Sequence, residues 1–340
     1  MFNTDIETEE MADAKPVMAI GAIPEDEITV IIEEEIKTNV SATEPVISSI
    51  KTTETPTEAL TSIIKTLITE APTIEQTAEA KVIKPQLLSE PIFTDNEFSV
   101  IHENFIPSEN LINKINDVIK NDKYRTSFYL KSLDGTIEMG YNPAGEYYGD
   151  STIKTTVALY IYNEVLEGRA DLETPIGEET IGSLLDIMLH ISDSGVYHIL
   201  RDYFGKDKIN KATEDLGCKT FKIYNQWAYA TPIDAAILWE EVYRFINRSG
   251  EIGKLFMNQL INAQWNFVND ALGKYTVAHK YGNTDDVFAE NCFVLKDKGR
   301  SYIFAYYSSS GYDYENNILS QVINILDEIM IEYDNYSNAT

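Results

Sequence analysis

A change in composition near residue 96 constrains the fold of this chain more than any other feature. Every tyrosine and tryptophan lies after that point, whereas seven of the eleven prolines lie before it. An acidic segment that is poor in aromatic residues cannot bury enough apolar surface to offset the loss of chain entropy. We therefore predict a disordered spacer over residues 1–96 and a single folded domain over residues 97–340.

The spacer contains one segment with helical periodicity, "TEALTSIIKTLITEA". Its apolar residues recur at the spacing of one helix face and are Leu60, Ile63, Ile64, Leu67 and Ile68. Isolated helices of this length are marginal in water. Two interpretations stay open, a transient helix within a linker and an element that docks on a partner.

The charge balance restricts the classes of partner. The chain has 27 Lys and Arg against 55 Asp and Glu, a net charge of −28, and it shows no basic patch. Nucleic acids and anionic membrane surfaces would be repelled. No run of about 18 apolar residues offers a spanning helix. We expect a small-molecule or peptide substrate, no nucleic acid, and a membrane only through a tether that this sequence does not contain.

In the folded part, an early and a late group of strands flank a helical middle, with one further helix before the first group and one after the last. A hairpin is predicted from "YRTSFYL" and "TIEMGYN", joined by a turn at Asp134-Gly135, and it follows the helix "SENLINKINDVIKND". Helices are then predicted from "TTVALYIYNEVLEG", "TIGSLLDIMLHIS", "SGVYHILRDYFG", "KINKATEDLG" and "TPIDAAILWEEVYRFI". Three strands, "YTVAHKYG", "FAENCFVLK" and "RSYIFAYYSSS", precede a last helix, "NNILSQVINILDEIMIEY". This order predicts an α+β fold with one antiparallel sheet.

Ser151 and Lys154 are three residues apart where a strongly apolar helix begins, in "YGDSTIKTTVALYIYNEV". On a helix, side chains with this spacing share a face. A serine hydroxyl needs a neighbouring base to become a nucleophile, and a desolvated lysine can serve as that base. S-x-x-K also occurs at ordinary capped helix starts, so the motif alone does not assign chemistry.

Two further motifs follow in a fixed order. Ser192-Asp193-Ser194 lies between helical segments, and Lys280-Tyr281-Gly282 lies on the first of the late strands. With S-x-x-K, S-D-N-like and K-T-G-like motifs in this order, residues 100–335 resemble the serine β-lactamase and penicillin-binding protein superfamily, in its class A-like branch. The resemblance implies a five-stranded antiparallel sheet flanked by helices, beside an all-helical subdomain with the site between them.

The resemblance also implies a role for each residue of the motifs. Ser151 would be the acylated nucleophile, Lys154 its base, Ser192 a proton carrier to the leaving group, and Lys280 a source of positive potential. Backbone N–H groups of Ser151 and Asn283 would form an oxyanion hole. The implied substrate-binding residues are Ser194, Tyr281, Gly282 and Asn283. No metal or cofactor is implied, and neither the four histidines nor Cys218 and Cys292 have the spacing of a metal site.

Three departures from the family pattern bear on activity. Ser194 stands where the family has asparagine. Tyr281 stands where the family has threonine, and its bulk puts recognition of a carboxylate in doubt. The segment "LGCKTFKIYNQWAYATP" contains no E-x-x-L-N, so the glutamate that activates the deacylating water is missing. We expect an acyl-enzyme that persists and no efficient penicillin hydrolysis.

Two functions follow as hypotheses. The first is a serine acyl-hydrolase that forms an acyl-enzyme on an amide or ester, with a β-lactam or a peptidoglycan stem peptide as the implied substrate. The alternative is a catalytically weak or silent domain that binds a cell-wall ligand or a protein partner. The first residues, "MFNTDIETEE", lack the features of a secretory signal. The resemblance nevertheless implies an extracytoplasmic location, so we expect a signal or anchor upstream of this sequence.

Overall fold

A computed structural model describes residues 96–102, 104–225 and 227–339. Apart from Asn96, the predicted spacer and its amphipathic segment lie outside the described residues. The central sheet has six strands, all antiparallel, in the order β1-β3-β2-β11-β10-β9. These strands are β1 Phe98–Ile101, β2 Thr126–Ser132, β3 Glu138–Tyr141, β9 Thr276–Asn283, β10 Phe288–Leu295 and β11 Tyr302–Ser308.

The α+β fold class is confirmed, and the number of strands in the described sheet is corrected from five to six. The extra strand is β1, which pairs with the outer edge of β3 and brings Phe98 opposite Tyr141. A sheet edge exposes unpaired backbone groups, and this short strand covers the edge of the hairpin. The predicted hairpin turn is present, with Gly135 at φ 72°.

Helices cover both faces of the sheet, which is why β10 and β11 are buried along almost their whole length. On one face, Leu130 and Phe304 pack into a cluster with Leu326. The helices on this face are α1 Glu109–Asn121, α8 Phe267–Leu272 and α9 Leu319–Ala339. On the opposite face, Trp239 of α6 (Pro232–Arg248) packs against Phe293 with ring centroids 5.8 Å apart.

The predicted helices of the middle segment are all present. They are α2 Ile153–Leu166, α3 Ile181–His190, α4 Ser194–Phe204 and α5 Lys206–Asp215, followed by α6. Thr231 caps α6 by accepting a hydrogen bond from the N–H of Asp234, and Pro232 occupies its first turn. Helix α7, Gly250–Ile261, was not predicted, and neither was α8.

Two smaller sheets complete the described part. A three-stranded sheet joins β4 Tyr147–Tyr148, β8 Ala228–Ala230 and β7 Lys222–Ile223, and β5 Pro175–Ile176 pairs with β6 Glu179–Thr180. The three-stranded sheet fixes residues 222–223 and 228–230 beside the start of α2. None of the helices within the described ranges has the length and apolar character needed to cross a bilayer.

Candidate active site

Ser151 lies in a 3₁₀ turn, Asp150–Thr152, that leads directly into α2. The α-helix itself begins at Ile153, so the serine stands just ahead of its first turn. The hydroxyl and the N–H of Thr152 both donate hydrogen bonds to the carbonyl of Gly149. The N–H of Gly149 in turn donates to the carbonyl of Ala228 at 2.8 Å. The turn is therefore held by its own backbone and by β8.

Lys154 reaches the serine from the first turn of α2. Its Nζ lies 2.9 Å from Oγ of Ser151, and its side chain is fully buried. Burial disfavours the charged amine and lowers the pKa of Lys154 to about 8, although the negative charges of Asp150 and Asp193 oppose this change. A measurable fraction of the amine is therefore neutral near pH 7 and able to accept a proton.

Ser192 joins the two lysines of the site. It lies in the loop between α3 and α4 with φ 62°, and its Oγ is 3.2 Å from Nζ of Lys154 and 2.9 Å from Nζ of Lys280. Asp193 caps α4 through a 2.8 Å bond from the N–H of Val196. Nζ of Lys154 also donates to the Ser192 carbonyl and lies 3.3 Å from Oγ of Ser194.

Lys280 extends from β9 and is fully buried. Burial, followed by repulsion from the charge of Lys154, lowers the pKa of Lys280 to about 7, with Asp150 and Glu290 acting in the opposite direction. Besides Ser192, its Nζ donates to the carbonyl of Tyr281 at 3.2 Å. Since the two lysines interact, a positive charge on either one favours the neutral form of the other.

Gly282 and Asn283 bring the end of β9 against Ser151. A Cβ added at Gly282 would lie 2.5 Å from the backbone nitrogen of Ser151. Only a glycine permits this approach of strand to turn. The side chain of Asn283 donates to the hydroxyl of Tyr314, which fixes the residue that follows the glycine. The structure thus brings together the eight residues that the motifs predicted.

Asp150 was missed by the sequence analysis. Its side chain is 4 % exposed, its φ is 42°, and its Oδ2 has no hydrogen-bond partner among the described residues. Burial raises the pKa of this carboxyl, while Lys154 and the N–H of Ser151 act to lower it. Its one trace in the sequence is an acid directly before the serine, in "GDS".

The segment before α6, where the family keeps its deacylating glutamate, is held by a buried carboxylate. Asp234 accepts backbone hydrogen bonds from Lys219, Thr220 and Phe221 at 2.9, 2.8 and 2.7 Å. Trp227 lies over Tyr148, with ring centroids 5.7 Å apart. Residues 216–232 contain no Asp or Glu. The rings of Trp227 and Tyr229 both pack against Tyr148, which precedes Ser151 by three residues.

The remaining candidates for metal chemistry have other contacts. His279 lies between the carbonyl of Ala263 and the carboxylate of Glu290, at 3.0 Å from each. Cys218 and Cys292 are buried free thiols. Over residues 96–102, 104–225 and 227–339, no three His, Cys, Asp or Glu side chains are grouped as ligands of one metal ion.

Comparisons with known proteins agree with this geometry. The β-lactamase enzyme family model matches residues 110–328. No curated protein sequence matches the chain.

Several solved structures share the fold. PBP-A is similar with a TM-score of 0.59 at 19% identity, covering 67% of this chain and 97% of its own. A PBP-A mutant in an acyl-enzyme complex with penicillin G gives 0.58 at 19% identity, over 65% of this chain and 96% of that chain. A β-lactamase from Sphaerobacter thermophilus gives 0.56 at 15% identity, over 66% and 97%. Since the family model spans more than half of the sequence, this chain belongs to the β-lactamase enzyme family.

Proposed function

We propose that this protein is a serine acyl-hydrolase in which Ser151 attacks an amide or ester and Lys154 accepts its proton. The observation that carries the proposal is the 2.9 Å contact between Nζ of the buried Lys154 and Oγ of Ser151. A serine becomes a nucleophile when a base lies within hydrogen-bond reach. Cell-wall peptides, such as peptidoglycan stems, and β-lactams are the substrate class that family membership supports.

The same geometry supports a path for the proton. Ser151 Oγ forms a bond to the acyl carbon, and its proton moves to the neutral amine of Lys154. Ser192 Oγ, between Lys154 and Lys280, passes a proton to the leaving group as the scissile bond breaks. The N–H groups of Ser151 and Asn283 would stabilise the oxyanion, an interaction worth roughly 3 kcal/mol per donor.

Deacylation is proposed to be slow. Hydrolysis of an acyl-enzyme needs a base that activates water, and residues 216–232 supply no carboxyl group. The proposal is therefore an enzyme that acylates readily and releases its product slowly.

A second candidate is a domain that binds a cell-wall ligand without turnover. The observation that favours it is the position of Tyr281, whose ring lies 5.0 Å from Nζ of Lys280 in place of the family's threonine. Binding without a covalent adduct would support this candidate, and turnover would refute it.

Intact-protein mass spectrometry after mixing with a penicillin tests the proposal. The parent protein should gain a lasting adduct, Ser151→Ala should gain none, and the exposed Ser320→Ala should behave as the parent. A rapidly lost adduct would show that another base replaces the glutamate. Equal labelling of parent and Ser151→Ala would refute the assignment of the nucleophile.

The extracytoplasmic location is also a proposal, because wall peptides and their precursors are exposed on that side of the membrane. Fractionation of native cells tests it. Recovery of the protein in the cytosol alone would contradict it.

A further inference from the structure

Four aromatic side chains form a continuous surface beside the end of β9. We call Phe267, Tyr281, Tyr312 and Tyr314 the aromatic platform. Ring centroids of Phe267 lie 5.9 Å from Tyr281 and 5.5 Å from Tyr314, the latter pair stacked at 20°. Tyr312 extends the platform, 6.5 Å from Tyr314.

The platform packs against β10 on one side and is exposed to solvent on the other. Phe288 of β10 packs edge-on against Phe267 and Tyr314 at 5.1 and 5.8 Å. Tyr312 and Tyr314 are 57% and 43% exposed, whereas Tyr281 and Phe267 are half-buried. Rigid aromatic rings offer large contact area at a small cost in side-chain entropy, so an exposed group of them suits a planar ligand.

The platform adjoins the reacting atoms. Tyr281 stands between Lys280, which contacts Ser192, and Gly282, which packs on the backbone nitrogen of Ser151. The hydroxyl of Tyr314 accepts a hydrogen bond from Asn283. Since Ser192 is the group proposed to protonate the leaving group, the platform flanks the leaving-group side of the site.

Electrostatics at the platform disfavour an anion. Burial, and to a smaller extent the neighbouring Tyr314, Asp150, Tyr312 and Glu290, raises the pKa of Tyr281 to about 12, so its phenol is neutral near pH 7 and offers no charge to a ligand. The adjacent cation, Lys280, is fully buried and already donates to Ser192 and to the Tyr281 carbonyl. A carboxylate at this position would lose its hydration without gaining a strong ionic partner.

We propose that the aromatic platform binds an uncharged aromatic ring on the leaving group, so that neutral aryl-bearing esters or amides are preferred to substrates whose leaving group carries a carboxylate. This inference rests on the proposed acylation of Ser151. In the ester reaction, the Oγ–acyl bond forms, the acyl–oxygen bond breaks, and the phenol leaves with the proton that Lys154 took from Ser151.

Two esters with one acyl group test the inference. Phenylacetylglycine phenyl ester and its m-carboxyphenyl analogue differ in charge on the leaving group. The parent should be acylated by the uncharged ester about tenfold faster, because the carboxylate of the other ester would lose hydration at the platform without gaining an ionic partner. Tyr281→Thr should reduce or reverse this preference, and Tyr312→Ala should weaken it. Tyr203→Ala, which removes a tyrosine of equal exposure (56%) on α4, should leave it unchanged.

Binding to Ser151→Ala, measured by calorimetry, separates this inference from the proposed function. Preferential binding of the uncharged ester without acylation of the parent would refute the proposed function and support the platform. If both esters acylate the parent, and Ser151→Ala binds them equally or binds the carboxylate ester more tightly, the proposed role of the platform is overturned and the proposed function is supported. Neither acylation nor preferential binding would overturn both.

Discussion

Nζ of Lys280 donates a 2.9 Å hydrogen bond to Oγ of Ser192, which lies 88 residues earlier in the chain. The bond connects β9, an edge strand of the sheet, to the loop ahead of α4. Because Lys154 contacts the same oxygen at 3.2 Å, one hydroxyl accepts hydrogen bonds from two lysines and keeps its own proton for a third group.

The rate of acylation should rise with pH. Lys154 has a lowered pKa, near 8, so it is cationic and unable to accept a proton below that value and neutral above it. Pre-steady-state acylation measured from pH 6 to 9 should increase through about pH 8. Lys154→Arg should be inactive at every pH, since a guanidinium stays charged. A flat profile would contradict the role of Lys154 as base.

Asp150→Asn should move the pH profile to lower pH. The carboxylate of Asp150 raises the pKa of Lys154, so its removal lets that pKa fall further. Asparagine tolerates the positive φ of this position, which keeps the turn intact. The exposed Asp207→Asn is the control and should leave the profile unchanged. A pH profile of Asp150→Asn that is unchanged, or shifted to higher pH, would contradict the effect of the Asp150 carboxylate on the pKa of Lys154.

Gly282→Ala should abolish most of the acylation activity without unfolding the protein. The new Cβ would lie 2.5 Å from the nitrogen of Ser151, so the strand or the turn must shift. Loss of an oxyanion-hole donor typically costs about 10²–10³ in rate. Adduct formation should fall by that order while the melting temperature stays near the parent value. Acylation at the parental rate would disprove this close packing.

Asp234→Asn should destabilise the segment that precedes α6. The buried carboxylate accepts three backbone N–H bonds, and an amide would place its own donors against them. Hydrogen bonds to charged groups are worth about 1.5–3 kcal/mol, so the free energy of unfolding in urea should fall by about that amount. Asp207→Asn, an exposed acid, should change it by less than about 0.5 kcal/mol.

Helices and strands were predicted correctly where the apolar periodicity extends over many residues and the turn residues are clear. The five middle helices and the late strands satisfy both conditions. Helix α7 was missed because Gly250 and Gly253 suggest a break. In the structure a Cβ at Gly253 would lie 2.2 Å from the carbonyl oxygen of Ile246, so this glycine allows α6 and α7 to approach closely. Four-residue β1 lies next to the composition change and has too few positions to show alternation.

At the candidate site, the three motifs located the residues that lie close together, because motifs in this order along the chain are typical of a family with one fold. They could not locate Asp150 or the aromatic platform. The role of Asp150 depends on a positive φ and on burial between Lys154 and β9, and neither property is visible in a single sequence. The platform combines Phe267 of α8 with Tyr312 and Tyr314, and only the folded chain brings these residues together.

The position of β1 has a practical consequence for handling this protein. Because β1 and β9 are the two edges of the six-stranded sheet, Phe98 lies five strand spacings from Lys280, or about 24 Å across the sheet. A dye or an immobilising linker attached at Asn96 would therefore leave the mouth of the cleft clear. Such a derivative allows acylation to be followed on a surface or by energy transfer, with the reporter well away from the arriving substrate.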